Sequence, residues 1–343
     1  MKGKGANRIL WIFLIGILFS VCCLVLQNSL VNHVNEKENT YIPEKKDLYN
    51  GYGLEGDLEL STTKVRETDK EVVYEDRVFN INSINLDGIE YAIETAAKLK
   101  AKLPKGGHVY VMPIPERAAF EIGYENEKKQ YEAFVRKMQK ADGKGVTTLN
   151  PLSLLEEHKE EYIYCRSENS WTMRGAFCGA QTFRKALGYA EESLEDYRSY
   201  VFGEFGNETI TEPFYIFIKG DNPNREAMTY EDDNDEIKTI KKSTIQFNSA
   251  GSSAVIGNSY MHSVVEGCGE GSLLLINDQR GKFLISYLAE MYEKIYVVNI
   301  YEDKNFAKNV NKIISKYDIK QVIWAQNVSE MGDPSYMRAL NAL

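Results

Sequence analysis

From about Glu71 onward, apolar residues recur in two rhythms, short unbroken runs and stretches with helical spacing. VVYEDRVFNI, beginning at Val72, alternates enough for one or two short strands. Asn85 then precedes Leu86–Leu103, where Ile89, Ala92, Ile93, Ala96 and Leu99 mark one face of a helix. Gly106 and Gly107 end that helix, and HVYVMPI at His108–Ile114 reads as a buried strand. Glu127–Gln139 reads as a helix, KGVTTLNP as a strand and turn, and Leu152–His158 as a short helix. Alternating aromatics over Tyr200–Lys219 suit an antiparallel pair. Downstream, the apolar runs Leu273–Asn277, Ile295–Ile300 and Gln321–Ala325 are separated by helical patterns at Gly281–Tyr292 and Phe306–Tyr317. Strands joined this way need crossovers, so the pattern predicts an α/β fold with a central, mainly parallel sheet.

Polar stretches fix the remaining organisation. Gly220–Lys242 is polar and holds an acidic run, EDDNDE at Glu231–Glu236. It lacks the spacing and the glycine of an EF-hand, so it reads as a solvated surface loop. Ile9–Leu26 is apolar and uncharged, with Lys2, Lys4 and Arg8 before it. That length spans a bilayer, and the basic flank should stay in the cytoplasm. The stretch that follows, QNSLVNHV, offers only a poor cleavage site, so an uncleaved anchor is expected rather than a signal peptide. The expected layout is a cytoplasmic N-terminus (1–8), a transmembrane helix (9–27), a juxtamembrane linker (28–70) and an extracytoplasmic domain (71–343).

Composition narrows the function. Of the 343 residues, 43% are hydrophobic and 27% charged, normal for a chain with a sizeable core. The net charge of −9 and the lack of a basic patch argue against nucleic-acid binding. Two of the five cysteines, Cys22 and Cys23, lie in the apolar span, which leaves Cys165, Cys178 and Cys268 and at most one disulfide. No Cys-x-x-Cys or His-x-x-x-His spacing suggests a zinc site, and no cofactor is expected. Histidine is scarce, at His33, His108, His158 and His262.

Two blocks carry the candidate chemistry. Tyr162–Phe177, YIYCRSENSWTMRGAF, runs from an aromatic, strand-like segment through a polar turn into a helix that opens with small residues and continues to about Leu187. Leu273–Phe283, LLLINDQRGKF, is an apolar strand ending in a polar turn. Together they resemble the DHHW family of bacterial cell-surface proteins, related to SGNH hydrolases and to alginate and cellulose O-acetylation proteins. Arg166, Trp171, Thr172, Gly175 and Ala176 match the family's first block, and NEKEN at Asn35–Asn39 matches its N-terminal string. The resemblance implies an SGNH-like three-layer α/β/α fold. It also implies a catalytic acid and histidine where this chain has Glu168 and Ser170, and a nucleophilic serine where it has Gln279.

Those substitutions matter chemically. An amide cannot replace a serine hydroxyl in acyl transfer, and a serine cannot act as general base near neutral pH. Asp278 is retained but belongs to the turn, not to a triad. Gly257-Asn258-Ser259, with His262 three residues on, resembles the family's oxyanion block. It reads first as a turn or pocket wall, and alternatively as a relocated Ser259–His262 dyad. Trp171 could stack on a sugar and Arg166 could clamp a hydroxyl or carboxylate, or each could simply pack and pair within the protein. The leading expectation is a membrane-anchored pseudoenzyme that binds a cell-surface polysaccharide or a membrane-bound acyltransferase. The alternatives are an active O-acetyltransferase or acetyl esterase using Ser259 and His262, and a purely structural protein.

Overall fold

The computed structural model describes residues 60–343, apart from 83, 208–209, 220–226, 232–236, 244–261, 302, 304 and 341–342. The expected anchor at Ile9–Leu26 and the Gly257-Asn258-Ser259 turn lie outside the described residues. Among those described, no helix is long and apolar enough to cross a membrane.

Among the described residues, regular structure begins at Lys64, ahead of Glu71. Strands β1 (Lys64–Glu67), β2 (Glu71–Tyr74) and β3 (Val78–Asn80) form a small antiparallel sheet. Helix α1 (Ile89–Lys102) leads to β4 (His108–Ile114), α2 (Glu125–Gln139), β5 (Val146–Thr148), α3 (Leu152–Glu157) and α4 (Met173–Ala186). A hairpin of β6 (Tyr197–Gly206) and β7 (Thr211–Lys219) follows, antiparallel as the aromatic alternation predicts. Then come β8 (Ala227–Glu231), β9 (Ile237–Ser243), β10 (His262–Glu266) and β11 (Ser272–Asn277). The last elements are α5 (Ile285–Leu288), β12 (Lys294–Asn299), α6 (Phe306–Lys316), β13 (Gln321–Asn327), α7 (Val328–Gly332) and α8 (Pro334–Leu340).

Among the described residues, the central sheet has eight strands in the order β5-β4-β13-β11-β12-β10-β8-β9. Its first five are mutually parallel, and β10, β8 and β9 extend it antiparallel. The unbroken apolar runs of β4, β11, β12 and β13 are buried on both faces, as strands covered by helices on each side must be. Leu273 and Leu275 point to one face, where α4 packs through Met173, Ala176, Phe177 and Phe183 beside Phe214 and Ile216 of β7. Leu274 and Ile276 point to the other, where α1, α2 and α6 pack through Leu99, Phe134 and Val310.

One local expectation is corrected, and one stretch carries structure that its composition does not signal. The polar Gly220–Lys242 stretch supplies β8 and most of β9, because an antiparallel edge beside β10 needs no continuous apolar run. The loop expected for the acidic run falls on 232–236, outside the described residues. The helix expected over Gly281–Tyr292 is a 3-10 turn, Gly281–Leu284, followed by the single α-helical turn of α5. Most of its residues are apolar because the segment is plugged into the core (Phe283, Leu284, Ile285 and Leu288 are buried), so periodicity overstates its helical length.

Candidate functional site

Because the core strands are parallel, the ends of β4, β11, β12 and β13 reach one edge of the sheet, where α/β folds place their sites. At that edge β11 turns through Asp278, which is 1% exposed. Its Oδ1 accepts from the Arg280 and Gly281 backbone N–H groups at 2.8 and 2.9 Å. Its Oδ2 accepts from Asn327 N, at the end of β13, at 2.9 Å. Asp278 is thus a strut that ties the turn to the neighbouring strand. Gln279, next in the chain, projects into solvent.

The first block is a tight hairpin. Tyr164 and Trp171 form an antiparallel bridge, Cys165 N donates to Ser170 O at 2.8 Å and Thr172 N to Ile163 O at 2.9 Å. Thr172 caps α4, accepting from Gly175 N and donating to Tyr162 O. Behind the hairpin tip lies Glu212 of β7, which is buried. It accepts from Arg166 N at 2.6 Å, from Ser167 N at 2.7 Å, and from the Tyr162 and Ser167 hydroxyls. Gly175 allows the helix to start against this hairpin, since a Cβ there would stand 2.3 Å from Ile163 O and 2.8 Å from Trp171 Cβ. Gly175→Ala should therefore cost about 1–3 kcal/mol, the usual range for overpacking, seen as a lower denaturation midpoint.

The two blocks are stitched together across more than 100 residues of sequence. Trp171 Nε1 donates to Arg280 O at 2.8 Å, and Arg280 Nε donates to Asn169 O at 2.8 Å. Arg280 also lies within ion-pair distance of Asp278 and Glu330, at 3.6 and 3.5 Å. Glu116, buried beside them, accepts from Asn169 Nδ2 and from Ser329 Oγ. Burial works against the Arg280 charge, but Glu116, Asp278 and Glu330 outweigh it and raise its pKa.

Asn80, Glu168, Ser170, Gln279, Lys282 and Glu330 are among the residues that line one open cleft of about 450 Å³. The three positions where the resemblance places acid, base and nucleophile therefore meet in one cavity. Ser170 Oγ makes a 3.3 Å bond to Trp171 O. Glu168 opens toward solvent, yet partial burial raises its pKa. Glu212 adds to that rise, while Lys282 and Arg280 oppose it. Lys282 is 8% exposed. Burial lowers its pKa, partly offset by Glu168 and Cys165.

The other candidates fall elsewhere. Trp171 is 0% exposed and offers no face to a sugar ring; it packs on Gly179 of α4 and supports the hairpin. Arg166 lines a separate small pocket with Arg117 and Phe120. His262 opens β10 with its backbone opposite Val298 of β12. Cys165, Cys178 and Cys268 are free thiols, and burial pushes the Cys178 thiol up to about 12. Among the described residues no group of three or more His, Cys, Asp or Glu could hold a metal ion.

A family model described as DHHW protein matches residues 82–298. The chain belongs to the DHHW family. Among solved structures, this DHHW protein is similar to a DHHW family protein from Eubacterium siraeum DSM 15702, with a TM-score of 0.69 and 19% identity over 81% of this chain and 98% of that one. It is also similar to Bacillus cereus PatB1, solved with a sulfonyl adduct, with a TM-score of 0.63 and 14% identity over 80% of this chain and 98% of that one. At these identities the likeness establishes the fold. No curated protein matches the sequence.

The DHHW fold here rests on residues that no motif pointed to. Glu116, Glu212 and Glu330 come from three distant parts of the chain, and each looks like an ordinary acidic residue until folding buries the first two and half-buries the third. Lys282 and Arg280 sit inside the second block, where charged residues in an apolar segment were the available signal.

Proposed function

We propose that this DHHW protein is an acetylation-related, SGNH-like surface protein that has lost turnover and retains the cleft for binding. Its ligand is a cell-surface polysaccharide or a membrane-bound acyltransferase, and the Ile9–Leu26 segment anchors it with the domain outside. One observation carries the loss of turnover: Glu168, Ser170 and Gln279 line a single cleft. The replaced positions thus belong to one site, which supports reading them as a changed triad rather than as misaligned surface residues. Ser170 cannot take a proton from a nucleophile at neutral pH, and Gln279 has no hydroxyl to deprotonate.

The test is acetyl-ester turnover by the full chain in detergent, beside a chain carrying Glu168→Asp, Ser170→His and Gln279→Ser. Turnover is expected only in the altered chain. Continuous turnover by the natural chain, abolished by Ser259→Ala, would overturn the loss of activity in favour of a relocated nucleophile. Binding is read separately, as retention of the natural chain on cell-wall polysaccharide that weakens on Gln279→Ala.

A further inference from the structure

A primary amine stands in the wall of this cleft, and none of the chemistry above uses it. Lys282 follows the strut turn, and its neighbours Gly281, Phe283 and Leu284 are all buried. Its own side chain is 8% exposed, and its Nζ lies 5.2 Å from the centre of the Phe283 ring. It lines the cleft with Ser170 and Gln279, and the proposal rests on the proposed function in taking that cleft as the one an acyl group would enter.

We propose that Lys282 is an acyl-acceptor site, taking an acyl group from activated esters or thioesters that enter the cleft and keeping it as a stable amide. The Nζ lone pair attacks the ester carbonyl and the bond from that carbon to the leaving oxygen or sulfur breaks. Nitrogen gives up one proton and the leaving group takes one up, so an alcohol or thiol departs and nothing is oxidised or reduced. Without a serine or water activated to cleave the amide, the chain is modified once and does not turn over.

Two features of the setting favour this outcome, and one opposes it. Only a neutral amine is nucleophilic, and burial acts on Lys282 in that direction. The Glu168 carboxylate acts on it and favours the charged form. Burial also pushes the Cys165 thiol well up, so it does not compete as a nucleophile. Glu168 is therefore a brake on the amine, tunable without touching Lys282.

The proposal is tested on the full natural chain with p-nitrophenyl acetate, mapping acetylated lysines by peptide mass over time. At pH 7, Lys282 is expected to label several-fold faster than Lys320, whose side chain is 63% exposed. That preference should vanish in the urea-unfolded chain. Glu168→Gln should speed Lys282 labelling at pH 7 and leave it unchanged at a pH high enough to neutralise the amine in both chains. Labelling of Lys282 no faster than of Lys320, or a preference that survives unfolding, would overturn the proposal. So would a Glu168→Gln chain whose Lys282 labels at the natural rate at pH 7. The proposal shares the cleft with the proposed function but not its fate: stoichiometric label is a Lys282 result, whereas continuous ester turnover by the natural chain counts only against the loss of activity.

Discussion

Replacing Arg280 by alanine is expected to destabilise the folded domain by about 3 kcal/mol, measured as a shift in the urea midpoint. Removing one partner from a buried ionic cluster costs ~3–5 kcal/mol, and the 18% exposure of this side chain places it at the lower end. The substitution would leave Glu116, Asp278 and Glu330 gathered around a missing cation. It would also remove the Nε bond to Asn169 O, one of the two links between the sequence blocks. Arg280→Lys separates the two effects. It returns a charge but not the planar fork that reaches Asn169 and the carboxylates together, so only part of the stability should return. Full recovery with lysine would show that charge alone matters and that the Asn169 link is idle.

Glu212→Ala should cost a similar amount, about 3–4 kcal/mol, because two backbone N–H groups, one buried and one half-buried, would lose their acceptor at ~1–3 kcal/mol each. Those groups belong to Arg166 and Ser167, and the Tyr162 and Ser167 hydroxyls lose the same partner. The hydroxyls can rotate toward other acceptors, whereas the backbone N–H groups cannot. The hairpin tip should therefore open, and with it the placement of Glu168 and Ser170. Trypsin provides a local readout, since a new cut after Arg166 under native conditions is expected in the variant. A variant that loses stability without that cut would place the damage in the β6–β7 hairpin instead.

Much of the fold was legible in the chain. Runs such as HVYVMPI and QVIWA can be satisfied only by burial on both faces, and their spacing leaves room for crossovers, so the parallel core followed from pattern alone. The antiparallel extension was not legible. Strands β8 and β9 gain their place by pairing beside β10, and pairing along an antiparallel edge leaves little trace in composition. Gly281–Tyr292 misled in the opposite sense, because residues buried on every side carry no periodicity that distinguishes a short turn from a full helix.

The sequence by itself determined that Glu168, Ser170 and Gln279 stand where the resemblance implies an acid, a base and a nucleophile, since side-chain identity needs no coordinates. It also determined which two blocks carry those positions, through the small and aromatic residues that frame them. Only the tertiary structure decided that the blocks share one cleft, because that depends on two hydrogen bonds, Trp171 to Arg280 and Arg280 to Asn169, between segments more than 100 residues apart. It likewise decided the choice between roles that one residue type can fill. Trp171 is a packing element because it is fully buried, Asp278 is a strut because three backbone N–H groups point at it, and Lys282 belongs to the cleft because burial and Glu168 meet there. Local pattern records what a residue can do. The charges and donors that folding brings within a few ångströms select which of those things it does.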